Sequence, residues 1–471
     1  MANALSRIFF DPADSEQDRV PARYRLADDQ RWWIVPLGAG LLLLVAGIAF
    51  GIAAGGLKHV LFSYLIGWVF CVSIALGALF FVMIQHITKA RWSTTIRRIP
   101  EALAASFPLL ALAGIPVLLG MHDLFHWTHE ELYDPNGPYY DALVAGKRAY
   151  LNTPFFLVRY VLYFVVWSWL GHRLYALSVR NDARPEVQNT LDMRWYSAVG
   201  IPLAAVTTAF ASYDFVMSTD PHWFSTMFGV YFFAGGWLGA LCLITFLALA
   251  LKKAGMLPEV TREHIQDMGK FMFAFTVFWT YIAFSQYMLY WYANIPEETV
   301  WYMKRLSAGW ETVAASLLIF HFILPFLILL PRMTKRIYPA LAVMAVWLLV
   351  MHWVDLWWVT MPAMEADYGA GEHEVVASAA PAAGGELLAS LQIGPGEAGP
   401  VDGDEATPSG ETPEQEFDVD VVPPTVPVVG MSIWLGLFGL FLGVAMLRLR
   451  RHAITPYGDP YFADSLRFEN T

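Results

Sequence analysis

The chain is poor in charge and nearly devoid of cysteine, and each shortage closes off a class of protein. Only 15% of its 471 residues are Asp, Glu, Lys or Arg, against roughly 25% in soluble domains. It has two cysteines, Cys71 and Cys242, each inside an apolar stretch. An iron–sulfur cluster draws on about four thiolates, and no C-x-x-C-H run offers a haem attachment point. Both thiols read as small buried hydrophobes, so any covalent haem or iron–sulfur centre belongs to a partner. No cleavable leader is visible, because Asp11, Asp14, Glu16, Asp18, Arg19, Arg23 and Arg25 make the N-terminal segment too charged for one. Targeting is expected to rest on the first membrane helix. The formal net charge is −11, and no nucleic-acid partner is expected.

What the chain has instead is hydrocarbon. Apolar residues make up 57% of it, gathered into runs of about 20 or more, the length that crosses a ~30 Å bilayer core. The pattern predicts an all-α, polytopic membrane protein with about ten spans, at 32–54, 60–88, 101–121, 152–178, 195–217, 222–251, 267–292, 310–331, 337–360 and 428–448. Trp32–Trp33, Trp291–Tyr292, Trp301–Tyr302 and Trp357–Trp358 mark interfacial belts. Positive charge is one-sided. Lys89, Arg91, Arg97 and Arg98 follow the second span, and Arg173, Arg180, Arg184 and Arg194 the fourth. Lys252, Lys253, Arg262 and Lys270 follow the sixth, Arg332, Lys335 and Arg336 the eighth, and Arg448, Arg450 and Arg451 the last. The other loops hold only Lys58, Lys147, Arg148, Lys304 and Arg305. The positive-inside rule then places both termini in the cytoplasm.

The expected organisation is a cytoplasmic N-terminal segment (1–31) and a membrane domain (32–360) of two four-helix bundles, about 60–217 and 222–360, with flanking helices. A final span (428–448) and a cytoplasmic tail (449–471) complete it. Between them, 361–427 is rich in Ala, Gly, Pro, Glu and Asp, and no Lys or Arg occurs from Ile337 to Leu447. Such composition predicts poor order. The stretch reads as a solvating linker on the outer side, or as a docking segment for a basic partner such as a soluble cytochrome or a terminal oxidase. The bundle division rests on an internal repeat: the third and seventh spans run out through Gly120–Trp127 and Phe284–Trp291. The fifth and ninth end Tyr213-Asp214-Phe215 and Val354-Asp355-Leu356.

Ionisable groups inside a bilayer are costly and become functional candidates. His122, Asp123, Arg159, Asp214, His352 and Asp355 are all expected near the outer end of their spans, with His352 and Asp355 on one helix face. Oxidation of a quinol releases two protons, and a His or carboxylate must lie within reach of each hydroxyl. The same residues read equally as a structural cluster in which Arg159 pairs with Asp214 or Asp355 and ties helices together. His321 sits midway along the eighth span. It could link this level to Gln85, His86, Glu101 and His172 on the inner side, or be a core histidine. A haem b would need two facing histidines, and the spacing singles out no pair. Asp220 and Pro221 are expected to cap the sixth span.

The stretch Met217-Ser218-Thr219-Asp220-Pro221-His222-Trp223-Phe224-Ser225-Thr226-Met227-Phe228-Gly229 resembles the crossing found in ActF-type membrane subunits of bacterial alternative complex III. These belong to the NrfD/PsrC-like membrane family. The resemblance covers about Arg31 to Thr360 and the last span. It implies two four-helix bundles in a bacterial inner-membrane complex that oxidises quinol (menaquinol or ubiquinol) at the outer face. Electrons would leave through partner iron–sulfur and c-type cytochrome subunits, beside an NrfD-like sister chain. The resemblance assigns no quinone ligand to a position here. Outside the family, a secondary transporter is the competing expectation, disfavoured by helices that read as mostly unbroken, and a purely assembling subunit is the third.

Overall fold

The computed structural model describes residues 21, 24–26, 33–364 and 428–469. The N-terminal segment 1–31 and the acidic stretch 361–427 lie almost wholly outside them. Every regular element among the described residues is helical. Ten helices are long and apolar enough to cross a membrane: α1 (Ile34–Ala54), α2 (Gly56–Ile87), α3 (Arg98–Leu119), α4 (Thr153–Ala183), α5 (Val187–Thr219), α6 (Phe228–Lys253), α7 (Arg262–Ala293), α8 (Trp310–Leu329), α9 (Tyr338–Met364) and α10 (Val428–Arg451). The chain is a polytopic all-α membrane protein.

α1 and α2 form one helical run, Ile34–Ile87, bent at Gly56 with φ +78°. A side chain would be strained in that left-handed conformation. α2 and α6 are the central helices. A Cβ on Gly77 would fall 2.5 Å from the Gly236 carbonyl oxygen, and one on Gly236 2.7 Å from that of Ser73. In lipid, where hydrophobicity does not drive helices together, such close backbone approach does. Around this axis α2 packs with α3 and α5, and α4 with α5, while α6 packs with α7 and α9, and α8 with α7 and α9. α10 lies antiparallel along α1 and touches α2, with Gly436 and Gly439 against Leu44, Pro36 and Gly40 of α1 and Trp434 over Gly67. The chain therefore begins and ends its membrane passage at one end of the molecule.

Three expectations need correction. α6 begins at Phe228, not at 222, and its N-cap is Met227. Asp220 instead closes a short 3₁₀ turn, Met217–Thr219, so Asp220 and Pro221 do not cap α6. α3 is broken into Arg98–Ala104, Phe107–Ala113 and Ile115–Leu119, the latter two with a proline in the first turn. Backbone groups freed within a membrane must find protein partners. Trp68 Nε1 donates to Leu110 O at 2.8 Å, Tyr160 Oη to Ala111 O at 2.6 Å and Tyr64 Oη to Ala113 O at 2.7 Å. α8 is irregular too, with a π-helical turn at Leu317–Ile323.

Candidate functional site

Asp214 and Asp355 sit near the same end of the molecule, on the last helix of each packed group, and both are buried. Asp214 faces a cation. Arg159 Nε and Nη2 donate to its two oxygens at 2.8 Å each, and Tyr163 Oη adds a 2.7 Å bond. Arg159 Nη1 donates to Tyr150 O at 3.0 Å, and the guanidinium lies 3.9 Å from the Tyr150 ring centroid and 4.3 Å from that of Phe155. Arg159 is 5% exposed and Asp214 1%. A two-pronged pair of this kind is rigid and directional. It is the dry, direct pairing that a structural clamp between α4 and α5 requires.

Asp355 has neutral partners. Tyr231 Oη of α6 donates to Oδ1, and Trp279 Nε1 of α7 donates to Oδ2 at 3.1 Å. Neither oxygen receives a cation. One turn away, His352 Nε2 lies 2.9 Å from Ser73 Oγ of α2. The single Ser73 hydroxyl proton is donated to Phe70 O at 2.8 Å, and a neutral His352 that donates to Ser73 through Nε2 carries an acceptor Nδ1. That Nδ1 has no hydrogen-bond partner. Room beside it is made by Gly235, whose Cβ would stand 3.0 Å from Nδ1 and 2.9 Å from Cε1. His321 stacks on Trp279 with ring centroids 3.9 Å apart, and neither of its nitrogens has a partner although the side chain is fully buried. It sits in the π-helical turn of α8, a distortion common at functional sites. Ser73, His352, Asp355, Trp279 and His321 thus form one buried polar series linking α2, α9, α7 and α8.

The six residues expected at one level do share that end, but not one cluster. Arg159 and Asp214 form the clamp, and His352 and Asp355 form the second group. His122 and Asp123 are exposed on the short helix Met121–Leu124 after α3, where the His122 ring lies 4.2 Å from that of His129. His86, Gln85 and Glu101 lie at the far end of the molecule, so His321 is not in contact with them. Tyr163, Tyr231, Trp279 and Ser73 escaped notice because a tyrosine, tryptophan or serine in an apolar run carries no signal by itself. Gly235, Gly236 and Gly239 do carry one, since small residues at one-turn spacing mark close approach on a helix.

The stretch 217–229 is pinned from three directions. His222 Nε2 meets Asp141 Oδ2 at 2.5 Å, while Asp141 Oδ1 caps the short helix Ala142–Gly146 through Leu143 N and Val144 N. Burial pushes the Asp141 carboxyl up, but His222 and the two backbone N–H groups outweigh it and hold it near pH 2. Lys147 Nζ donates to Pro221 O at 2.5 Å, and its own proton affinity is lowered by burial. Trp223 stacks on Trp301 at 4.2 Å, and Tyr290 Oη donates to Phe224 O at 2.6 Å. The crossing thereby anchors the loop after α3, the end of α7 and the helix Pro296–Arg305. Among the described residues no group of three His, Cys, Asp or Glu side chains is placed to hold a metal ion. No family model matches the chain, and no curated protein matches its sequence.

Proposed function

We propose that this chain is an integral subunit of a quinol-oxidising respiratory complex of the alternative complex III type, and that its α6–α9 half handles protons. The observation that carries the second part is the contrast between the two aspartates. A buried carboxylate with a guanidinium partner is fixed in its charge state. One held by a tyrosine and a tryptophan, in a setting where an unpaired charge is expensive, is free to gain or lose a proton. His352 Nδ1 adds a second acceptor one helical turn away. Two proton acceptors on one face match the two protons released by a quinol, while the two electrons pass to partner iron–sulfur and c-type haem subunits. In this reading the end bearing the C terminus faces the cytoplasm and the aspartates lie near the outer face, which the charge asymmetry of the loops supports. The resemblance of 217–229 to the ActF-type crossing supports the complex, and the Arg159–Asp214 clamp supports an assembling role for the α2–α5 half.

The first experiment is gentle-detergent purification from native membranes, with haem spectra and mass identification of what accompanies the chain. A multihaem cytochrome c and an iron–sulfur protein are expected. In that complex, Asp355→Asn should lower quinol oxidation on the order of 100-fold, the scale of a lost acid–base group, while haem content stays intact. Full turnover in an assembled Asp355→Asn complex would sink the proton-handling role. The breaks in α3 favour one competing reading, since broken helices line transporter sites. A lone, colourless chain from membranes where it is well expressed would bring that reading forward.

A further inference from the structure

The end bearing the C terminus holds a second buried polar centre, unrelated to the two aspartates above. Arg97 donates from Nε to Glu101 Oε1 at 3.0 Å and from Nη2 to Asp459 Oδ2 at 2.5 Å. Arg98 Nη2 donates to Asp182 Oδ2 at 2.5 Å. Around these pairs several buried atoms have no hydrogen-bond partner: Arg98 Nε and Nη1, Glu101 Oε2, Ser178 Oγ, His86 Nε2, Gln85 Oε1 and Thr94 Oγ1. Arg98 Nε and Glu101 Oε2 are 3.6 Å apart, beyond a hydrogen bond. Arg98 is 0% exposed and Glu101 1%. Leaving one such atom dry costs about 1–3 kcal/mol, and buried groups of this kind are ordinarily satisfied by internal water.

The segment after α10 covers this centre. Asp459 reaches Arg97, and Gly458 N donates to Asp182 Oδ1 at 3.2 Å. Thr455 Oγ1 donates to Thr95 O at 3.1 Å and Ser465 Oγ to Trp92 O at 2.7 Å. Gly458 seats against Asn181, whose carbonyl oxygen would lie 2.0 Å from any Cβ there. Tyr457 stacks on Tyr24 at 5.2 Å, adding that ring to the same cover. Residues 453–465 are thus held over the ends of α2, α3 and α4 by side-chain and backbone bonds at several points.

We propose that the C-terminal segment roofs a hydrated polar site built on Arg98, Glu101, Ser178 and His86, with water, and the protons water carries, as its ligand. The roof makes exchange with bulk solvent slow, and Asp459 is its main fastening. This holds whether or not the chain works with quinol.

Hydroxyl-radical footprinting of the full chain in detergent tests both parts, because radicals made from water in place modify sealed side chains only where water touches them. His86, and Tyr175 whose ring lies 5.8 Å from the Arg98 guanidinium, should be modified at least several-fold more than Trp68 once intrinsic reactivity is allowed for. Trp68 is equally buried, and its Nε1 is bonded to Leu110 O. In oxygen-18 water mixed just before the pulse, isotope should enter the His86 product slowly in the intact chain. Entry should be several-fold faster in Asp459→Asn and in the milder Thr455→Val, which serves if Asp459→Asn fails to fold. Gln188→Ala, which removes an exposed bond to Asp192 and not a fastening of the roof, should match the intact chain. Protection of His86 and Tyr175 equal to that of Trp68 would overturn the hydrated site. Isotope entry as fast in the intact chain as in the variants would overturn the roof.

Discussion

Asp214 and Asp355 lie near the same end of α5 and α9, yet the folded chain gives them opposite kinds of partner. Asp214 is bonded by both prongs of Arg159 and by Tyr163 from the preceding helix α4. Asp355 is bonded by Tyr231 and Trp279, which come from α6 and α7 rather than from its preceding helix α8. Helix α8 instead carries His321 in a π-helical turn, stacked on Trp279. One aspartate therefore carries an ion pair that joins neighbouring helices, while the other is bonded by neutral donors. Burial alone does not distinguish them; the charge of the nearest donor does.

The sharpest way to break the comparison is Arg159→Ala. It strands the Asp214 charge, which in a buried pair costs about 3–5 kcal/mol, and thermal unfolding in detergent should fall accordingly. Replacing both partners with leucine should recover most of the loss, because it is the orphaned charge and not the missing bond that destabilises. An unchanged unfolding temperature for Arg159→Ala would mean that Asp214 does not depend on the cation. Gly235→Ala tests the other half. Its Cβ presses on the His352 ring, and overpacking of this kind costs about 1–3 kcal/mol, read as a lower melting temperature with any activity reduced alongside. Asp355→Asn should cost only about 1 kcal/mol, the worth of an ordinary hydrogen bond, since no cation loses its partner. A loss as large as that of Arg159→Ala would erase the distinction.

A third aspartate sharpens the contrast at smaller scale. Asp141 is held by His222 and two backbone N–H groups, with its carboxyl depressed to about 2 from an ordinary 3.8. A depressed carboxyl contributes stability that is complete above the unfolded value and is lost as pH falls through the folded one. The clasp on the crossing should therefore loosen between about pH 4 and pH 2, seen as rising protease cleavage of the loop before α4. Asp141→Asn should show no such step in that window.

Much of the architecture was legible in residue order. Apolar length marked all ten spans, because in hydrocarbon a helix is among the few structures that satisfy its own backbone. The boundaries failed where turn chemistry misled: Asp220-Pro221 has the look of a helix start, but His222 and Lys147 are drawn away to Asp141 and Pro221 O, and α6 waits until Phe228. The breaks in α3 come with Pro108 and Pro116, and Tyr64, Tyr160 and Trp68 from other helices bond the backbone there. The candidate residues were found at one depth, since ionisable side chains in apolar runs stand out. Their division into an Arg159–Asp214 clamp, a His352–Asp355 pair with neutral partners and two exposed residues of the helix Met121–Leu124 was left open.

The sequence by itself determined that this chain has ten helices long and apolar enough to cross a membrane and that Asp214 and Asp355 lie near the same end of theirs. Hydrophobic length and charge are local properties, readable along a line. Which aspartate meets an arginine and which a tyrosine was decided only by the tertiary structure. Those partners stand 55 and 124 residues away, and depth within a span says nothing about which face of which neighbour a helix will turn toward it.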